Sequence, residues 1–196
     1  MELATTIPLF TNLLVPQVGQ FTILSHIHGR AHIARVMVLG FALLKLLKRP
    51  DLEIPLWASV YVHDLGRKND DRCQRHGDWA VEKMLMSPEI LDRLYRGGLA
   101  EAQIEAVSTA VEYHCKPLSL RRESPHWYLS MLLKEIDALD RIRLCEFDER
   151  YLRLPESKRL IPVARELYRH TMWLEQYDAN LMDEVWDVAT SILKPI

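Results

Sequence analysis

The chain reads as all-α, a bundle of about seven to nine helices. Three observations carry that reading. Apolar residues recur at helical spacing in one segment after another. No stretch alternates apolar and polar residues for long enough to make a strand. Prolines and paired glycines fall at the ends of the periodic segments, where helices start and stop.

Residues 1–24 hold Pro8 and Pro16 between short apolar clusters, Leu9-Phe10 and Leu13-Leu14-Val15. They read as a short helix and loop packing on the core, with a homodimer contact as an alternative use. The first long helix runs from about Ala31 to Leu47, with Ile33, Val36, Met37, Gly40, Leu43, Leu44 and Leu47 on the helical period. Arg49-Pro50-Asp51 stops it, because proline disfavours helix at the residue before it. A second helix runs from near Pro55 to Leu65, with Gly66 as its C-cap. Arg67 to Arg75 is a charged loop. A third helix covers about Gly77 to Met86, and Ser87-Pro88 opens a short fourth.

Gly97-Gly98 then breaks the chain before an amphipathic stretch from Ala100 to Tyr113. A basic loop, Lys116 to Pro125, leads into a long helix over Trp127 to Leu144. Two more helical patterns follow, Pro162 to Tyr177 and Ala179 to Leu193. The organisation is one domain: a segment at 1–24, a core at 25–150 that bears the chemistry, and a helical pair at 151–196 that completes it.

A chain of 196 residues can bury one sizeable core. Its 48% apolar and 27% charged content is ordinary for a globular domain. The net charge of −2 argues against nucleic acid as a partner, since such proteins carry a strongly basic face. Cys73, Cys115 and Cys145 are odd in number and lack Cys-x-x-Cys spacing, which fits a reducing compartment. Glu2 stands where a secretory leader carries basic residues. The longest apolar run, Val36 to Leu44, is far below the roughly 20 residues of a spanning helix. The expected setting is the cytoplasm, without a membrane.

Against this background His63-Asp64 stands out, because it ends the apolar run Leu56 to Val62. Buried ionisable groups cost several kcal/mol unless they are paired or bind a metal. Neighbouring helical residues project about 100° apart, so one ion can take both side chains only at adjacent positions. The remaining donors must come from elsewhere, and the chain offers His32, His76, His114 and Asp137. Taken alone, any one of these imidazoles is more often a structural histidine satisfied by a backbone carbonyl than a catalytic one. His28 lies four residues before His32, but Gly29 and Arg30 stand where a zinc-protease helix needs its glutamate.

The order of these residues, with His32-Ile-Ala-Arg35-Val36 first, His63-Asp64 next and Asp137-Ala-Leu-Asp140 last, resembles the HD-domain superfamily of metal-dependent phosphohydrolases. The resemblance spans roughly Ser25 to Arg150. It implies an HD-like bundle in which His32, His63, Asp64 and Asp137 hold a divalent ion. Two imidazoles and two carboxylates without thiolate suit Mn²⁺, Fe²⁺, Co²⁺, Ni²⁺, Mg²⁺ or Zn²⁺. His76 and His114 would hold a second ion, with Asp64 bridging the two, or would bind a phosphate or donate a proton. Asp64, His76 and His114 thus carry the catalytic assignment. Cys115 reads as a packing residue.

Arg67, Lys68, Arg72 and Arg75 follow the His-Asp pair, and Lys116, Arg121 and Arg122 follow His114. Arg67 and Lys68 are the expected phosphate contacts, because guanidinium and ammonium attract a dianion. Arg35 would either join them or brace a carboxylate. Asp140-Arg141 would orient Asp137, or form an ordinary surface pair. The expected substrate is a nucleotide or other small phosphoester. Two alternatives stay open on the same residues: a di-iron oxygenase, and a regulatory module that binds a nucleotide without turnover. A helical protein without metal is the remaining one.

Overall fold

The computed structural model describes residues 15–144, 147–174 and 177–193. Nine α-helices lie among them and no strand. The expected helix and dimer contact at the start of the chain fall largely on residues 1–14, outside the described residues.

Helix α1 (Arg30–Leu47) is the axis of the bundle. Every residue from Ala31 to Gly40 is buried, so the helix is covered all round rather than on one face. It packs against α2 (Glu53–Val62), α6 (Trp127–Asp140) and the two last helices, α8 (Ile161–Thr171) and α9 (Leu181–Leu193). Its end comes earlier than the proline. Lys48 turns left-handed at φ 55°, and its N–H donates back to the Leu44 and Lys45 carbonyls. Pro50 then opens a single 3₁₀ turn, Pro50–Leu52.

Helix α2 is buried from Pro55 to Val62. The Gly66 assignment needs correction: it does not cap by a left-handed conformation, since Gly98 is the one glycine with positive φ among the described residues. Gly66 is required by proximity. A Cβ there would meet the Ala80 nitrogen at 2.3 Å and the Trp79 carbonyl carbon at 2.4 Å. The backbone of α3 (His76–Met86) therefore rests directly on the His63-Asp64 turn. Gly77 does the same one helix on, where a Cβ would lie 2.3 Å from the Val111 carbonyl oxygen of α5 (Ile104–His114).

Ser87 caps α4 (Pro88–Arg96), its hydroxyl accepting from the Ile90 N–H at 3.3 Å. Helix α6 tightens to a 3₁₀ turn over Arg141–Leu144, so the expected single helix to Leu144 is α only to Asp140. A short helix not expected from the sequence, α7 (Pro155–Arg159), follows. The fully buried Glu135 carboxylate of α6 accepts from the Arg153 and Leu154 N–H groups just before it, which docks α7 onto the core. Helix α8 ends at Thr171, short of Tyr177. No helix of the described residues is long and apolar enough to cross a membrane.

Candidate metal centre

The chemistry-bearing residues collect at one end of the bundle because each sits at a helix terminus there. His32 is in the first turn of α1, and His63-Asp64 is the turn leaving α2. His76 opens α3, His114 closes α5, and Asp137 and Asp140 occupy the last turn of α6.

Each imidazole is fixed by its Nδ1. His32 Nδ1–H donates to Asp140 Oδ2 at 2.8 Å, His63 to the Val60 carbonyl at 2.8 Å, His76 to the Cys73 carbonyl at 2.8 Å and His114 to the Val111 carbonyl at 2.5 Å. All four partners are pure acceptors, so the proton of a neutral ring must sit on Nδ1. The four Nε2 atoms are then bare lone pairs, and they converge. His32 Nε2 and His63 Nε2 stand 3.2 Å apart, and His76 Nε2 and His114 Nε2 2.7 Å apart. Facing lone pairs at these distances repel unless something electropositive lies between them.

The Asp64 carboxylate divides its oxygens between the two pairs. Oδ2 is 3.5 Å from His32 Nε2 and 3.6 Å from His63 Nε2. Oδ1 is 3.4 Å from His76 Nε2 and 4.0 Å from His114 Nε2. Asp137 Oδ1 joins the first pair at 3.4 Å from His32 Nε2. Its side chain is 26% exposed while Asp64 is 2% exposed, which puts the mouth of the site at Asp137.

These separations bear on a metal. Donors bound at about 2.1 Å stand about 3.0–3.4 Å apart between octahedral and tetrahedral angles. In the first set the donor atoms of His32, His63 and Asp64 lie 3.2 to 3.6 Å apart and could hold a divalent ion, with Asp137 Oδ1 beside them at 3.4 Å from His32 Nε2. The ligating atoms of His76, His114 and Cys115 also lie within 4.8 Å of one another. The Cys115 thiol, however, donates to the Gln74 carbonyl at 3.3 Å, and burial pushes its pKa up.

The charge state favours ion binding. Burial lowers the His32 pKa to about 3 and the His76 pKa to about 4, and takes His114 well below the ordinary imidazole range. These three rings are therefore neutral ligands at pH 7. Burial works against ionisation of Asp64, but the electrostatic pull of its neighbours His63, Arg67, His76 and His32 overrides it and holds the carboxyl well below the usual range. Asp137 reaches about 2, its burial outweighed by His32, His63, Arg143 and His114. Two ionised carboxylates thus meet the neutral imidazoles of His32, His76 and His114, and the carboxylate charge of −2 suits a divalent cation.

Asp140 is a brace for His32 rather than for Asp137. Besides accepting from His32, it accepts from Arg35 Nε at 2.7 Å and Arg35 Nη2 at 3.2 Å, and from Arg143 Nη1 at 3.3 Å. A carboxylate behind a ligating histidine fixes its tautomer and raises its basicity. This decides between the two roles expected of Arg35. Arg35 is buried with its guanidinium on Asp140, so it is the carboxylate brace and not a phosphate contact. A further cation on Asp140 is Arg143, with Nη1 3.3 Å from Oδ2.

Arg67 stays at the centre, with Nε 2.7 Å from Asp64 Oδ1 and Nη2 3.4 Å from His76 Nε2. Lys68 does not. Its ammonium lies 4.2 Å above the Trp79 ring, beside a surface cleft shared with Thr22, Glu82 and Lys83. Its neighbour on the loop, Arg75, faces the same ring at 5.7 Å, and Arg72 is exposed. Lys116 pairs with Asp78 at 2.9 Å, and Arg122 covers Trp127 at 5.4 Å.

Two contributors escaped the sequence reading. Arg143 was legible in principle, since Asp140 and Arg143 share a helix face at a spacing of three. His28, one turn before His32, has its Nδ1 2.9 Å from Asp70 Oδ1, and Ser25 Oγ–H also donates to that carboxylate. Nothing in the sequence links Asp70 to His28, because the contact spans a loop. Comparison of the chain with known protein families, with curated proteins and with solved structures yields no match.

Proposed function

We propose that the protein is a metal-dependent phosphohydrolase that cleaves a nucleotide or other small phosphoester. The observation that carries the reading is the set of four Nε2 lone pairs, locked inward by their Nδ1 partners and shared across the two oxygens of one ionised aspartate. A bare arrangement of this kind has no purpose as core packing, since an apolar cluster would be cheaper to bury. The order of the donors along the chain, which resembles the HD-domain superfamily, supplies the reaction class.

In this reading His32, His63, Asp64 and Asp137 hold a divalent ion, and His76 and His114 hold a second ion or the phosphate. When bound, such an ion polarises the phosphoryl oxygen and lowers the pKa of water enough to make a nucleophile. The chain's own residues do the rest. Asp140 and the three carbonyls keep the imidazoles aimed. Arg67 offers a planar pair of donors to the phosphate dianion. Lys116, Arg121 and Arg122, on the loop after His114, raise the local anion concentration.

The test is metal analysis of protein purified without added metal, followed by a phosphate-release screen with Mn²⁺, Ni²⁺, Co²⁺ and Mg²⁺. Asp64→Ala is expected to lose both metal and turnover with its helical circular dichroism intact. Turnover retained in Asp64→Ala would end the proposal. Bound iron with oxygen-dependent oxidation and no phosphate release would move the assignment to a di-iron oxygenase.

A further inference from the structure

We propose that the Arg67 guanidinium and a second metal ion compete for Asp64 Oδ1, so that the resting protein holds one ion and takes a second only when a phosphate draws Arg67 away. The inference rests on the metal-centre reading above and adds to it a rule for how the second position fills.

Four observations carry it. Asp64 Oδ1 is the only carboxylate oxygen placed near the His76 and His114 Nε2 atoms among the described ion-pair contacts, and Arg67 Nε already donates to it at 2.7 Å. Arg67 Nη2 lies 3.4 Å from His76 Nε2, so the guanidinium stands along the same edge that an ion would occupy. The Arg67 side chain is only 12% exposed, and its backbone N–H donates to the Asp64 carbonyl at 3.2 Å, which seats it in the turn rather than in solvent. Finally, the two imidazole pairs differ in spacing. The His32–His63 pair, at 3.2 Å, has the separation of donors on one ion, whereas the His76–His114 pair, at 2.7 Å, is tighter than the about 3.0 Å that 2.1 Å bonds at right angles produce.

The first position is thus shaped in advance, and the second is contracted beside a resident cation. A divalent ion entering there meets a guanidinium at close range and must displace it from the shared oxygen. A phosphate dianion offers Arg67 a better bidentate partner than one carboxylate oxygen. Phosphate binding and occupation of the second position are therefore linked, and by reciprocity each strengthens the other. Arg67 acts here as a positioning residue that decides between a one-ion and a two-ion centre.

The experiment is equilibrium dialysis of the full chain against Mn²⁺ with elemental analysis. Electron paramagnetic resonance of Mn²⁺ separates a lone ion from a spin-coupled pair. Wild type without phosphate is expected to bind one ion per chain with an uncoupled spectrum. Arg67→Met is expected to bind two, with the coupled signature, and Arg67→Lys, which keeps a cation on the turn, to take its second ion more weakly than Arg67→Met. Inorganic phosphate is expected to tighten the second ion in wild type by roughly tenfold, the scale of ordinary site-to-site coupling, and not in Arg67→Met. Two ions in phosphate-free wild type, equal loading of wild type and Arg67→Met, or equal phosphate enhancement in both would overturn the competition while leaving the metal centre standing. Absence of any bound ion in either protein would overturn both. Should Arg67→Met lose its helical circular dichroism, the phosphate titration of wild type decides alone.

Discussion

Replacing Asp140 by Asn tests how the centre is held from behind. The carboxylate is 1% exposed and receives His32 Nδ1 at 2.8 Å, Arg35 Nε at 2.7 Å and Arg143 Nη1 at 3.3 Å. Asn keeps the shape and one acceptor oxygen but removes the charge, and its amide turns a second donor toward donors. Two nearly buried guanidiniums then lose their counter-ion. Removing one partner of a buried pair costs about 3–5 kcal/mol, and the retained oxygen puts Asp140→Asn near 3 kcal/mol. In a domain of this size each kcal/mol moves the melting temperature by about 2–4 °C, so a fall of about 6–12 °C is expected. The assay is thermal unfolding followed by circular dichroism with a chelator present, so that metal loss cannot contribute. Separately, exchanging the carboxylate behind His32 for an amide is expected to weaken metal affinity about 10- to 100-fold, read by competition with a chromophoric chelator. A melting temperature within about 2 °C of wild type, together with unchanged affinity, would refute the reasoning.

Two further outcomes follow from the geometry. The metal-free protein should lose stability as pH falls from about 6.5 toward 4, because burial depresses the folded pKa of His32 to about 3 and of His76 to about 4, with His114 also far below the ordinary value of 6.5. Below 6.5 the unfolded chain takes up protons that the folded chain refuses, so each group removes up to ~1.4 kcal/mol per pH unit across that window. Denaturant melts at pH 7, 6 and 5 check this, and a pH-independent midpoint would contradict it. Gly66→Ala places a methyl 2.3 Å from the Ala80 nitrogen, and since backbone rather than a flexible side chain must yield, a loss of about 1–3 kcal/mol is expected, with weakened metal binding as the His63-Asp64 turn shifts. A fully metal-loading, wild-type-stable Gly66→Ala would show that α3 does not bear on this turn.

Much of the fold is legible in the sequence because long helices with periodic apolar residues declare themselves, as α1, α3 and α6 do. The failures are instructive. Gly66 follows an apolar helix and so looks like a C-cap, yet its reason lies in a helix that arrives later in the chain. Lys48 takes the left-handed position that a glycine would occupy more easily, so composition offers no stop signal there. Helix α7 is five residues long, and its docking depends on Glu135, a contact across 18 residues. Such a helix has too little local propensity to be read alone. At the centre, residue types and order pick out His32, His63, Asp64, His76, His114 and Asp137, which the structure brings together. They do not say which cation faces inward. Arg67 and Lys68 are adjacent and similar, and the turn sends one to Asp64 and the other to Trp79.

The donors come from five different helix ends, and the His32–Asp140 bond joins residues 108 apart in the chain. No stretch shorter than that span carries every donor together with Asp140. An ion held there would depend on the tertiary contact that brings the opening of α1 against the end of α6. A loaded ion would in turn cinch these distant termini together, and amide exchange along α1 and α6 should slow in unison when it binds.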